Sequence, residues 1–150
     1  MIETFRPLLE AASGLDLAHP EGARAELKRR LDPQGEQASA LNAELVALLE
    51  AGKLAERGTL PVRYGRVAKA TSETLDQSID VVLMTGAGPH HVHPAGEVNW
   101  CVPVEGTPTF EGCGRGWVVM APGSSHVPAV TGGKMLIVYL LPGGKIEFTR

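Results

Sequence analysis

Near residue 60 the periodicity of the chain changes, and that change sets the fold class. Before it, apolar residues recur at helical spacing. Phe5, Leu8, Leu9 and Ala12 form one stripe, closed by Ser13-Gly14. Ala23, Leu27 and Leu31 form a second, stopped by Asp32-Pro33, and Leu41, Leu45, Leu48 and Leu49 a third, with Gly52 as its C-terminal stop. After it, the segments PVRYGRVAKA, SIDVVLM, EVNWCVPV, TPTFEG, GWVVMAP, MLIVYLL and KIEFT are short and rich in Val, Ile and aromatics, and Gly, Pro and Thr divide them. Seven strands at close spacing predict a mainly β chain, a small β-barrel or jelly roll. Gly132-Gly133 and Gly143-Gly144 are expected as hairpin turns. The expected organisation is one domain: a helical N-terminal extension over residues 1–56, covering a β-barrel over residues 57–150.

Composition removes several function classes. A formal net charge of −3 with scattered Lys and Arg offers no basic stripe for nucleic acid. No apolar run is long enough to span a membrane as a helix. The opening MIETFRPLLEAASG is amphipathic and carries an early Glu, unlike a secretory signal. The two cysteines, Cys101 and Cys113, form no CxxC pair. A cytoplasmic location with reduced thiols is therefore expected, although hairpin geometry would permit a disulfide between them.

The chemistry concentrates in two stretches, GPHHVHPAGE (Gly88 to Glu97) and APGSSH (Ala121 to His126). Residues two apart on a strand share a face, so His91 and His93 project together. Glu97 returns to that face past Pro94-Ala95-Gly96, and His126 arrives from a later strand. Three imidazoles and a carboxylate converging in a small barrel suit a divalent first-row metal ion, whether Fe, Mn, Ni, Co or Zn.

The two stretches resemble the two motifs of the cupin superfamily: Gly86, His91, His93, Glu97 and Gly106 in the first, Gly116, Gly123 and His126 in the second. Ala121 and Val130 stand where the pattern usually has Pro and Asn. The match extends further. The helical N-terminal third, the RYGRV strand (Arg63 to Val67), HVHPAGE (His91 to Glu97) and the run from Gly114 to Phe148 together resemble a small bacterial family, 4-hydroxylaminobenzoate lyase. That resemblance implies a single-domain metal-binding cupin. It would convert 4-hydroxylaminobenzoate to 3,4-dihydroxybenzoate and ammonia, and a homodimer would be expected.

Within this reading His91, His93, Glu97 and His126 are the metal ligands, and Glu97, Asn99 and His90 the catalytic candidates. Glu97 completes the metal shell or acts as a general base. Asn99 and Cys101 follow it on the inward face. Trp100 and Val102 then face outward, toward the helices or a partner subunit. His90 faces away from His91 on a regular strand and becomes a ligand only if a bulge shifts the register. Cys101 is expected as a small buried filler, and Cys113 has no assigned role. A small aromatic carboxylate needs a cation and an apolar slot. Arg66 is the first choice among the barrel cations, with Arg63 beside it, and Ser124 and Ser125 are donors next to His126. Two other classes compete: a cupin dioxygenase using Fe(II) on a small aromatic or thiol substrate, and a non-catalytic metal-binding barrel. Glu97 argues against the thiol dioxygenases, which usually lack it.

Overall fold

The computed structural model describes residues 1–149. Three helices, α1 (Ile2–Ala12), α2 (Pro20–Arg30) and α3 (Glu36–Glu50), precede nine strands among the described residues. These are β1 (Arg57–Thr59), β2 (Val62–Ala68), β3 (Gln77–Met84), β4 (His91–His93), β5 (Glu97–Phe110), β6 (Gly116–Met120), β7 (Ser124–His126), β8 (Val130–Pro142) and β9 (Glu147–Phe148). A six-stranded sheet has the order β1-β2-β3-β8-β5-β6, and a three-stranded sheet the order β7-β4-β9. Every pairing is antiparallel. The chain is thus mainly β with a helical N-terminal region. No described helix is long and apolar enough to cross a membrane.

The large sheet is covered on both faces, and side-chain alternation, shifted in phase at the irregularities between β5 and β8, sorts its residues into two cores. On the outer face Ile79, Val81, Leu83, Val98, Trp100, Val102, Trp117, Leu136, Val138 and Leu140 pack with Phe5, Leu8, Leu9, Leu27 and Leu45 of the helices. On the inner face Met84, Cys101, Phe110, Val118, Val130, Met135, Ile137 and Tyr139 form a second cluster. This double coverage explains why MLIVYLL is an unbroken apolar run: no face of that strand meets water.

Side-chain hydrogen bonds dock the helices onto the sheet. The Trp100 indole donates to Asn42 Oδ1 at 2.8 Å and the Trp117 indole to the Leu31 carbonyl at 3.0 Å. Arg24 Nε donates to the Trp117 carbonyl at 2.8 Å. Arg30 Nη1 reaches the carbonyls of Ala11 and Ser13, at 2.9 and 2.8 Å, and so satisfies the open end of α1. Trp100 and Val102 were open to either helices or a partner subunit. The helices take them: both are buried, so neither is available to a dimer interface.

The Gly-Gly pairs depart from expectation. Gly132 and Gly133 form no hairpin. They lie inside β8, with φ of 83° and 158°, facing a bulge of β5 between Gly106 and Thr109. A Cβ on Gly133 would stand 2.1 Å from the Glu105 carbonyl oxygen, so only glycine permits this crossing. EVNWCVPV and TPTFEG are correspondingly one bent strand, β5, of 14 residues. Gly143 and Gly144 do make a turn, but it passes from β8 into β9 of the other sheet rather than joining hydrogen-bonded neighbours.

Candidate metal centre

The site is built on the shortest strands. β4 contributes His91 and His93, and β7 lies antiparallel to it with His126 opposite His91 and Ser124 opposite His93. After His93 the chain turns sharply: the Gly96 N–H donates to the His93 carbonyl at 3.2 Å, and Gly96 adopts φ +88°. A Cβ there would sit 2.9 Å from Leu17 Cδ1 and 3.0 Å from the Met120 carbonyl. Glycine therefore lets β5 begin beside β4, with Glu97 aimed at the same point as the imidazoles. One ligand atom from each of His91, His93, Glu97 and His126 lies within 4.8 Å of the other three.

The hydrogen-bond network selects the tautomer of each ring in its neutral form. His91 Nδ1 is 3.2 Å from the Pro89 carbonyl, and His126 Nδ1 is 2.9 Å from Glu111 Oε1. Both partners only accept, so each Nδ1 carries a hydrogen. His93 Nδ1 is 3.0 Å from Ser124 Oγ, whose own hydroxyl donates to the Ala121 carbonyl at 2.5 Å. It too is the donor. In the neutral rings all three Nε2 lone pairs therefore point inward, and the Nε2 atoms of His91 and His126 stand 3.1 Å apart.

Two facing lone pairs repel unless a proton or a metal cation lies between them. Glu97 deepens the mismatch. It is fully buried, with Oε2 3.2 Å from His93 Nε2 and Oε1 3.8 Å from His91 Nε2, and its hydrogen-bond donor is Asn99 Nδ2 at 3.0 Å. His93 Nε2 and Glu97 Oε1 have no hydrogen-bond partner. A buried carboxylate with no Lys or Arg beside it is costly. The donor set therefore fits a divalent ion, with Pro89, Ser124 and Glu111 orienting the rings from behind. Burial holds the His91 imidazole below its ordinary pKa, against the opposing pull of Glu97.

A cavity of about 760 Å³ opens onto His91. Its wall is largely apolar, with Val62, Val82, Met84, Tyr139, Leu141, Ile146 and Phe148, and Arg57 and Arg66 are the Lys or Arg side chains that line it.

Asn99 joins the cluster through Glu97. Other sequence candidates are placed elsewhere. The His90 ring bonds Thr149 Oγ1, and its carbonyl accepts the Thr149 N–H, so it is tied to the end of the chain rather than to the cluster. Ser125 pairs with Val92, one position out of phase with His91 and His93, and is exposed; Ser124 is the serine that touches the site. Arg63 lies on the opposite face of β2 from Tyr64 and Arg66, donates to the Ala55 carbonyl at 3.0 Å, and does not line the cavity. Arg66 does line it, but Asp80 holds its guanidinium through Nε at 2.7 Å and Nη2 at 3.3 Å. Cys101 is buried and its thiol pKa is pushed far up by burial, which suits a filler. Glu111, Arg57 and Tyr139 were not singled out from the sequence. Arg57 follows the Gly52 helix stop in a polar stretch, and nothing local marks it as facing a cavity.

A family model described as PnbB, 4-hydroxylaminobenzoate lyase, matches residues 15–148. The chain belongs to the 4-hydroxylaminobenzoate lyase family. Within the family, the 4-hydroxylaminobenzoate lyase of Nocardioides sp. (strain LMS-CY) is 35% identical over 94 residues, covering 57% of this chain and 56% of that protein. The Pseudomonas putida 4-hydroxylaminobenzoate lyase is 32% identical over 102 residues, covering 57% and 58%. The chain thus spans little more than half the length of the curated relatives it matches. Among solved structures, an RmlC-like cupin protein from Ralstonia eutropha superposes with a TM-score of 0.46 at 14% identity, over 61% of this chain and 62% of that one.

Proposed function

We propose that this protein is a metal-dependent carbon–nitrogen lyase acting on 4-hydroxylaminobenzoate or a related aryl hydroxylamine, with 3,4-dihydroxybenzoate and ammonia as products. The observation that carries the reading is the convergence of three inward Nε2 lone pairs and the buried Glu97 carboxylate where the apolar cavity meets His91. Family membership supports an aryl hydroxylamine as the substrate class. The atoms balance without an oxidant: aryl hydroxylamine plus water equals catechol plus ammonia.

His91, His93, Glu97 and His126 would hold the ion, which supplies Lewis acidity for weakening an N–O bond. The chain's own residues do the rest. The apolar wall takes the ring and excludes water from it. Arg57 and Arg66, at the cavity wall, receive the carboxylate; Arg57 is the freer of the two, since Asp80 engages Arg66. Asn99 fixes one Glu97 oxygen and leaves Oε1 without a hydrogen-bond partner, available to take a proton from water or substrate. A homodimer and a cytoplasmic location complete the proposal.

The test is anaerobic incubation of metal-replete protein with 4-hydroxylaminobenzoate, following both products with and without a chelator. Equal yields of catechol and ammonia, lost on chelation, are expected. Turnover that requires dioxygen, or survives complete removal of metal, would sink the reading.

A further inference from the structure

Tyr139 sits in the middle of β8 on the inner face of the large sheet, paired in register with Asp80 of β3 and Asn99 of β5. From Met135 to Leu141 the other side chains of β8 on that face, Met135, Ile137 and Leu141, are apolar. A phenylalanine would pack there equally well. Instead a phenol lines the cavity, with its ring 6.4 Å from that of His91 and the residue only 5% exposed. Asn99 Oδ1, on the residue paired with it, has no hydrogen-bond partner. A hydroxyl on an otherwise apolar cavity wall is best satisfied when a molecule in the cavity accepts its hydrogen. A phenol ordinarily loses its proton only at about pH 10, so at neutral pH the hydroxyl is available as a donor.

We infer that the Tyr139 hydroxyl donates a hydrogen bond to the oxygen of the substrate's hydroxylamino group, selecting aromatic carboxylates that carry oxygen at the end facing the histidines. This rests on the function proposed above. The ring spans the cavity with its carboxylate toward Arg57 and Arg66. Tyr139 contributes no proton to the products. It holds the oxygen in line with Glu97 and the histidine cluster.

The test uses two unreactive ligands of matched shape. In 4-(hydroxymethyl)benzoate the oxygen stands where the hydroxylamino oxygen would, and 4-ethylbenzoate replaces it with a methyl group. Calorimetric affinities are measured for metal-replete wild type and Tyr139→Phe, with metal content and thermal midpoint as controls for folding. The preference of wild type for the hydroxymethyl ligand should fall about tenfold in Tyr139→Phe, with metal content unchanged and kcat for 4-hydroxylaminobenzoate lowered by at least as much. An unchanged preference in Tyr139→Phe, or no preference in wild type, overturns the inference. If the preference depends on Tyr139 but wild type gives no catechol, the lyase reading fails alone; if turnover is intact in Tyr139→Phe, this assignment fails alone.

Discussion

Removing the Glu111 carboxylate should weaken metal binding without unfolding the protein. Glu111 touches no reacting group. Its Oε1 accepts from His126 Nδ1 at 2.9 Å, and in the neutral ring this leaves Nε2 as the lone pair. A hydrogen bond to a charged acceptor contributes about 1.5–3 kcal/mol when well shielded. The Glu111 side chain is 31% exposed, and solvent screening moves the expected value to the lower end. About 1.4 kcal/mol corresponds to a tenfold higher Kd for the metal in Glu111→Ala, the lower bound of what loss of a ligand's supporting bond typically costs. Glu111→Gln, whose amide oxygen still accepts, should lose less. The assay is competition with a chromogenic chelator at fixed pH, with a thermal melt of each metal-free variant to show that folding is intact. Wild-type metal affinity in a folded Glu111→Ala would refute the argument that the network fixes the His126 tautomer.

Further predictions concern the same region. His91→Ala should lose bound metal and turnover together, measured by elemental analysis and product yield. Arg57→Gln should raise KM for an aromatic carboxylate several-fold with little change in kcat, as expected for a cation that binds substrate before and during reaction equally; an unchanged KM removes Arg57 from the site. In metal-free protein the folded state holds the His91 pKa below that of the unfolded chain, about 6.5. The unfolded state then binds the extra proton, so the stability associated with neutral His91 is present above pH about 6.5 and is lost as pH falls toward the folded value. Thermal midpoints of chelator-treated protein should drop on acidification through that window, and less steeply in His91→Gln.

The convergence of His91, His93 and Glu97 was legible because strand parity and turn length are local properties. HVH needs only a strand to bring two rings together, and Pro94-Ala95-Gly96 is just long enough to return Glu97 to them. The three helices were legible for the same reason, each apolar stripe ending at a residue that breaks helix. What escaped depends on register between distant strands. Arg66 reads as a free cation until β2 pairs with β3 and sets Asp80 opposite it. Ser124 and Ser125 are indistinguishable in sequence; only the pairing of β7 with β4 puts one inward. Glu111 reaches His126 across 15 positions from a turn with φ 52°, and no periodicity marks such a residue. Gly132-Gly133 has the composition of a hairpin, but its role follows from the bulge on the facing strand, which lies 26 positions away at Gly106.

The large sheet separates two packing environments that share a backbone but few side-chain neighbours. Val82 and Met84 face the cavity while Leu83, on the same strand, packs in the cluster with the helices. Substitutions on the two sides should therefore combine almost additively in stability. Such a partition makes the cavity wall open to change. A lineage, or an engineer, could enlarge or reshape the ring pocket at Val62, Val82 or Leu141 for a different aryl substrate, while the Trp100–Trp117 contact at 4.7 Å continues to hold the helices in place on the other side.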